Sequence, residues 1–176
     1  MTRKHKRLLV TLAAAAFFGA CSSDSLVATP GLLNKLFGAT LSGANEKPNA
    51  VTTTATGSAN IAVIDSNTVR VQTSVSSIDS VTQAHIHAGD ASIAGPVMVF
   101  LSGPFSASQL VARGPGGTST LSGVLSHVDI IRGATTFLNP FTFDSLITRI
   151  NAGTAYVNVH TRKNPGGEIR GPIVPK

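Results

Sequence analysis

Two histidines, His85 and His87, stand one residue apart in QAHIHAGD, residues 83–90, and the chain holds only three others. A β-strand places residues i and i+2 on the same face. His85 and His87 therefore project side by side, while Ile86 points the other way into a core. His160 lies in YVNVHT, where it shares one face with Tyr156 and Asn158, and Val157 and Val159 share the other. If the strands around 81–89 and 155–161 lie near each other, three imidazoles converge on one outward-facing spot. Imidazole is a good ligand for copper, zinc, iron and nickel. Three histidines with an open position form a catalytic or exchangeable site rather than a closed structural one. The same residues also suit a merely polar strand face, or a hydrogen-bond network with Glu168, Arg170 or Asn158. The residues alone leave these readings open.

Other chemistries find little support. There is no GxSxG nucleophile elbow, and the only cysteine is Cys21. The stretch RGPGGTST, residues 113–120, is glycine-rich but lacks the lysine and spacing of a phosphate loop. Glu46, Asp65, Asp79, Asp90, Asp129, Asp144 and Glu168 show no pairing of the kind that glycosidase chemistry requires. His5 and His127 carry no readable message. No catalytic residue is assigned.

The elements that must position the histidines read as all-β. Short runs of β-branched residues alternate with turn signals from Gly38 onward. Strands are expected over 37–43, 55–65, 68–76, 81–89, 95–103, 117–126, 155–161 and 168–174. Val69, Val71, Thr73 and Val75 alternate with period two, and Asp65, Ser66 and Asn67 supply the turn of a hairpin. NPGG, residues 164–167, supplies another turn. One segment has helical spacing: Phe143, Leu146, Ile147 and Ile150, with Asp144 or Thr142 to cap the start and Gly153 to end it. The expected fold is a Greek-key-like antiparallel β-sandwich or barrel with one short helix near 142–152.

The first residues point to export. Arg3, Lys4, Lys6 and Arg7 precede an apolar run from Leu8 to Ala20, then Cys21. That is the order of a secretory signal over residues 1–20, and the run is too short to span a bilayer, which takes roughly 20 residues. FGAC resembles the lipobox of bacterial lipoproteins, with Phe18 where leucine is usual. The resemblance implies lipidation of Cys21 and a lipid-anchored tether over 21–36, and the change of texture near Gly38 sets the domain at 37–176. Ser22 after the cysteine implies, by resemblance to enterobacterial sorting rules, an outer-membrane lipoprotein of the cell envelope. The net charge of +6 comes from 14 basic and 8 acidic residues. Four of the basic residues precede Cys21, so 10 against 8 remain beyond it, about +2. They are scattered rather than clustered, which argues against nucleic acid as a partner.

LSGANEKP (41–48), AHIHAG (84–89), GPVMVFL (95–101) and YVNVHTRKNPGGEIRGPI (156–173) resemble the CHRD domain. The resemblance runs from about Phe37 to Ile173. It implies a compact β-sandwich outside the cell and a binding role at the cell surface, toward an unidentified protein or glycan. A second resemblance is to copper–zinc superoxide dismutases. His85 and His87 match their H-x-H, His160 their late copper-ligating histidine, and Gly167 and Arg170 their glycine and active-site arginine. SIAGPVMVFLSG follows the H-x-H here and contains no histidine, which removes the zinc site. What this resemblance implies is at most a mononuclear copper centre on three histidines, open to redox chemistry, with Arg170 toward an anion and Glu168 and Asn158 supporting. A structural role for Glu168 and Arg170 is also expected: an ion pair that pins the last hairpin.

Overall fold

The computed structural model describes residues 35–104 and 121–176. The signal, Cys21, most of the tether and the 113–120 loop lie outside them. Nine strands form one antiparallel sheet: β1 (Lys35–Ser42), β2 (Thr56–Asp65), β3 (Thr68–Ile78), β4 (Val81–Ala88), β5 (Val97–Ser102), β6 (Leu121–Ile131), β7 (Ala155–Thr161), β8 (Ile169–Pro172) and β9 (Val174–Pro175). Their order is β5-β4-β7-β8-β1-β2-β3-β6, with β9 beside β1. The two ends, β5 and β6, come into contact, so the sheet curls nearly closed into a barrel. Neighbours that are distant in sequence, β4 with β7 and β1 with β8, give the Greek-key character.

Alternation decides which side chains fill the barrel. Val69, Val71, Thr73 and Val75 of β3 are all buried, as their spacing requires. The β2–β3 hairpin turns at Ser66 and Asn67, and the Asn67 N–H donates to Asp65 Oδ1 at 2.7 Å. Leu41, Ile61, Ile86, Met98, Ile130 and Ile169 are fully enclosed. Each such side chain contributes about 1.5–3 kcal/mol by leaving water.

The helix α1 (Phe143–Ala152) matches its expected span. Thr142 is the cap: its hydroxyl accepts from the Ser145 N–H, and the Ser145 hydroxyl accepts from the Thr142 N–H. Such a cap contributes about 1 kcal/mol. Asp144 instead pairs with Arg132 at 2.6 Å. Gly153 ends the helix at φ 67, where a side chain would be strained. Phe143, Leu146 and Ile150 are buried against the barrel.

Several boundaries differ from expectation, three of them with a clear cause. The tether was expected to reach residue 36, yet Lys35 and Leu36 already pair with Val63 and Ala62 in β1. β6 continues to Ile131 because it pairs along the full length of β3, from Leu121 opposite Ile78 to Ile131 opposite Thr68. The last strand is broken into β8 and β9. Pro172 has no N–H to give a ladder, and the chain turns there with Ile173 enclosed and its N–H on Ala155 O.

For the site, the decisive feature is β7. It lies between β4 and β8, with His85 opposite Asn158, His87 opposite Tyr156, and Gln83 opposite His160. All seven of its residues are buried.

Candidate metal centre

The β4–β7 pairing brings His85, His87 and His160 together, as the strand faces require. Each offers one ring nitrogen, and these three atoms all lie within 4.8 Å of one another. The spot is not outward-facing, however. His85, His87 and His160 are only 2, 7 and 6 % exposed. The expectation of an exposed face fails because loops close over it. The chain before β5 brings the Gly95 carbonyl onto His87, and the β7–β8 turn brings the Pro165 carbonyl onto His160. Alternation holds along β7, but here both faces are covered.

These carbonyls fix the tautomers. A carbonyl oxygen only accepts, so His87 Nδ1 donates to Gly95 O at 2.9 Å and His160 Nδ1 donates to Pro165 O at 2.9 Å. In the neutral rings both therefore present a lone pair at Nε2. His85 Nδ1 lies 3.1 Å from His160 Nε2 and must be the donor of that pair in the metal-free protein. His85 Nε2 and His87 Nε2 are buried and meet no hydrogen-bond partner in the protein. A buried polar atom left so costs about 1–3 kcal/mol.

Burial keeps the cluster uncharged. It lowers the proton affinity of His85 to about 3, assisted by His160 and His87. It lowers that of His87 to about 4, against the pull of the Gly95 bond and with Arg170 adding repulsion. His160 is also lowered by burial. Metal ligation needs deprotonated imidazole, and all three rings meet that need near neutral pH. His85 becomes a ligand through this Nδ1 only when its proton passes to Nε2, and the 3.1 Å to His160 Nε2 then suits two ligands on one ion. Metal–nitrogen bonds of about 2.0–2.1 Å place adjacent ligands roughly 2.9–3.4 Å apart.

The walls are aromatic. Phe100 meets His85 edge-on at 4.4 Å between ring centres, and Tyr156 stacks on His87 at 4.8 Å and 14°. The Tyr156 hydroxyl accepts from the Gly95 N–H and donates to Gly95 O. The same loop residue thus holds both His87 and the ring beside it.

The three supporting residues have roles other than those expected. Arg170 lies 4.0 Å above the Tyr156 ring. Its guanidinium donates to the carbonyls of Asp90, Ala91 and Ile93, so it clamps the loop that carries Gly95. Glu168 does not pair with it. Thr53 and Thr161 donate to the Glu168 carboxylate at 2.7 and 2.6 Å. Burial would raise that carboxyl, but these bonds bring it below the usual range. The expected ion pair is absent because each group is satisfied elsewhere. Asn158 donates to Glu46 Oε1 at 2.6 Å and to Ile169 O. None of Asn158, Glu168 and Arg170 is hydrogen-bonded to a histidine ring.

Glu46 was not singled out by sequence. It is buried, and burial pushes its carboxyl up to about 7 despite the Asn158 bond and the Arg170 charge. Nothing in the spacing of ANEKP signals this. Gly167 explains itself once Glu46 is placed. At φ 131, any Cβ would stand 2.7 Å from Glu46 Oε2 and 2.8 Å from Asn158 Nδ2.

The family model of the CHRD domain matches residues 37–173. No curated protein matches the chain, and no solved structure does.

Proposed function

We propose, from the premise that this chain belongs to the CHRD domain family, that it is a copper-binding protein of the cell envelope. One observation carries the reading: three neutral imidazoles converge in a buried site where two Nε2 atoms have no partner in the protein. His85, His87 and His160 would hold the ion. Imidazole suits copper as a ligand, and bound copper would supply a redox-active centre. Tyr156, Gly95 and Arg170 support His87 through the contacts described above, while Pro165 O supports His160.

The chain contains one tyrosine and no tryptophan. Tyr156 therefore reports on the site by its fluorescence. The test is to purify the full-length chain without a histidine tag and titrate it separately with Cu(I), Cu(II) and Zn(II). One copper per chain is expected after gel filtration, with Tyr156 emission changed in step. A His85→Ala/His87→Ala variant should hold none. Failure of wild type to retain any stoichiometric ion would remove this reading.

Export and anchoring through Cys21 belong to the same proposal and rest on residues 1–21. A Cys21→Ser variant should move from the membrane fraction to soluble material. Equal membrane retention of both forms would count against a lipid anchor. Surface binding of a protein or glycan has the family resemblance behind it. The geometry at β4 and β7 favours the metal.

A further inference from the structure

We propose that the three-histidine site selects copper in its monovalent state over divalent ions, an inference that rests on the metal-centre reading above. The argument is one of charge, coordination number and burial.

Charge comes first. All three donors are neutral imidazoles, and no Cys, Asp or Glu among the described residues joins them as a ligand. His87 and His160 give their Nδ1 protons to backbone carbonyls, not to carboxylates. A carboxylate there would raise ligand basicity and help offset a metal's charge. The positive charge on this side is unfavourable: Arg170 sits over Tyr156, which itself stacks on His87. The carboxyl on this side, Glu46, is bonded to Asn158 rather than to a ring. The rings are almost fully enclosed. The cost of burying an ion grows with the square of its charge, so at equal size a dication costs about fourfold more than a monocation. With no carboxylate hydrogen-bonded to a ring to offset it, that difference weighs on the choice of ion.

Coordination number acts in the same direction. Divalent zinc on three histidines completes its shell with a water or substrate, and Cu(II) prefers square-planar or tetragonal surroundings. Among the described residues the cluster offers three side-chain donors and no fourth. Its walls at His85 and His87 are the rings of Phe100 and Tyr156, which give a fourth ligand no lone pair from Phe100. The Tyr156 hydroxyl is engaged with Gly95. Monovalent copper is filled-shell and is satisfied by three nitrogens, so it needs neither a fourth donor nor a water carried into the barrel.

The experiment uses the full-length chain. Under anaerobic reducing conditions, Cu(I) affinity is measured by competition with a chromophoric Cu(I) chelator. Cu(II) and Zn(II) affinities are measured in parallel by competition with chelators of known strength. The expected result is Cu(I) bound at least about 100-fold more tightly than Cu(II). For a one-electron couple this raises the potential of the bound ion by roughly 120 mV relative to the free ion. Cu(II) or Zn(II) bound as tightly as Cu(I), and lost on His87→Leu substitution, would overturn the selectivity and leave the metal centre standing. No ion of any kind held by the wild type would overturn both.

Discussion

Replacing His87 by leucine is expected to weaken copper binding at least about 100-fold while leaving the stability of the metal-free protein within about 1 kcal/mol. Loss of a supporting group around a metal ligand typically costs 10–100-fold in affinity, and His87 is itself a proposed ligand, so the upper end of that range is the floor. The stability half of the expectation follows from the structure of the metal-free site. His87 Nε2 is buried without a partner, and an atom in that state is a cost of about 1–3 kcal/mol. Leucine removes the cost. It also removes the Nδ1 donor to Gly95 O, but that carbonyl keeps the Tyr156 hydroxyl at 3.2 Å. The stacking of His87 on Tyr156 is lost and aliphatic packing replaces it. Gains and losses are of similar size and opposite sign. Denaturant unfolding gives the stability, and chelator competition gives the affinity. A variant that unfolds several kcal/mol earlier would mean that His87 is a structural keystone rather than a ligand held in readiness. A variant that binds copper like the wild type would take His87 out of the centre altogether.

This pairing of a large binding loss with a small stability loss separates two kinds of buried histidine. A structural histidine spends both ring nitrogens on hydrogen bonds, and replacing it breaks them. His87 spends one. The second, Nε2, is buried with no partner in the protein. That arrangement is costly unless something binds there, so it argues for a ligand from the energetics of the metal-free state alone.

Much of the scaffold was legible because local chemistry and pattern agree there. AYVNVHT is β7 residue for residue, since its alternation and flanking Gly153 and Asn164 leave little freedom. The β2–β3 turn and the Thr142 cap follow from side chains that bond to backbone two or three residues away. The convergence of the three histidines was also within reach, because strand faces are fixed by period two. What sequence did not carry is everything that depends on loops folding back. The burial of the cluster comes from the carbonyls of Gly95 and Pro165, and a carbonyl leaves no mark on residue type. Glu46 reaches Asn158 across 112 positions, and no spacing rule spans such a gap. Arg170 carried an implied anion-binding role only through the resemblance to copper–zinc superoxide dismutases. Its donors are instead taken up by three carbonyls of the 90–93 turn, a role visible only once that turn is placed. The expected Glu168–Arg170 pair failed for the same reason: Thr53 reaches Glu168 from a distant part of the chain.

In acid, the metal-free protein is expected to lose roughly 3 kcal/mol of stability between pH 6.5 and 4.5, and Glu46→Gln is expected to about double that slope. The sign follows from where each proton binds. His85 and His87 titrate near 3 and 4 in the folded protein, against 6.5 when free. Below pH 6.5 the unfolded chain therefore takes up protons that the folded chain refuses, and stability falls as pH falls. His160 is lowered too and acts in the same direction. Glu46 is opposite. Its folded value of about 7 lies above the usual 4.5, so between those values the folded state holds the extra proton, and acid favours folding. One group titrating in one state only contributes about 1.4 kcal/mol per pH unit. Over this window two histidines act against one carboxyl, which leaves about one group's slope over two units, with His160 adding to it. Glutamine at position 46 keeps an oxygen to accept the Asn158 bond and removes the opposing term. The variant should therefore approach the full slope of two histidines, and it should gain on the wild type as pH rises from 4.5 to 7. Unfolding midpoints in urea at four pH values, with metal chelated, read both curves. Parallel curves would show that Glu46 ionises normally in the fold. A flat curve for Glu46→Gln would show that the imidazoles take up protons in the fold as readily as in the unfolded chain, and the burial that keeps the cluster neutral would have no energetic consequence.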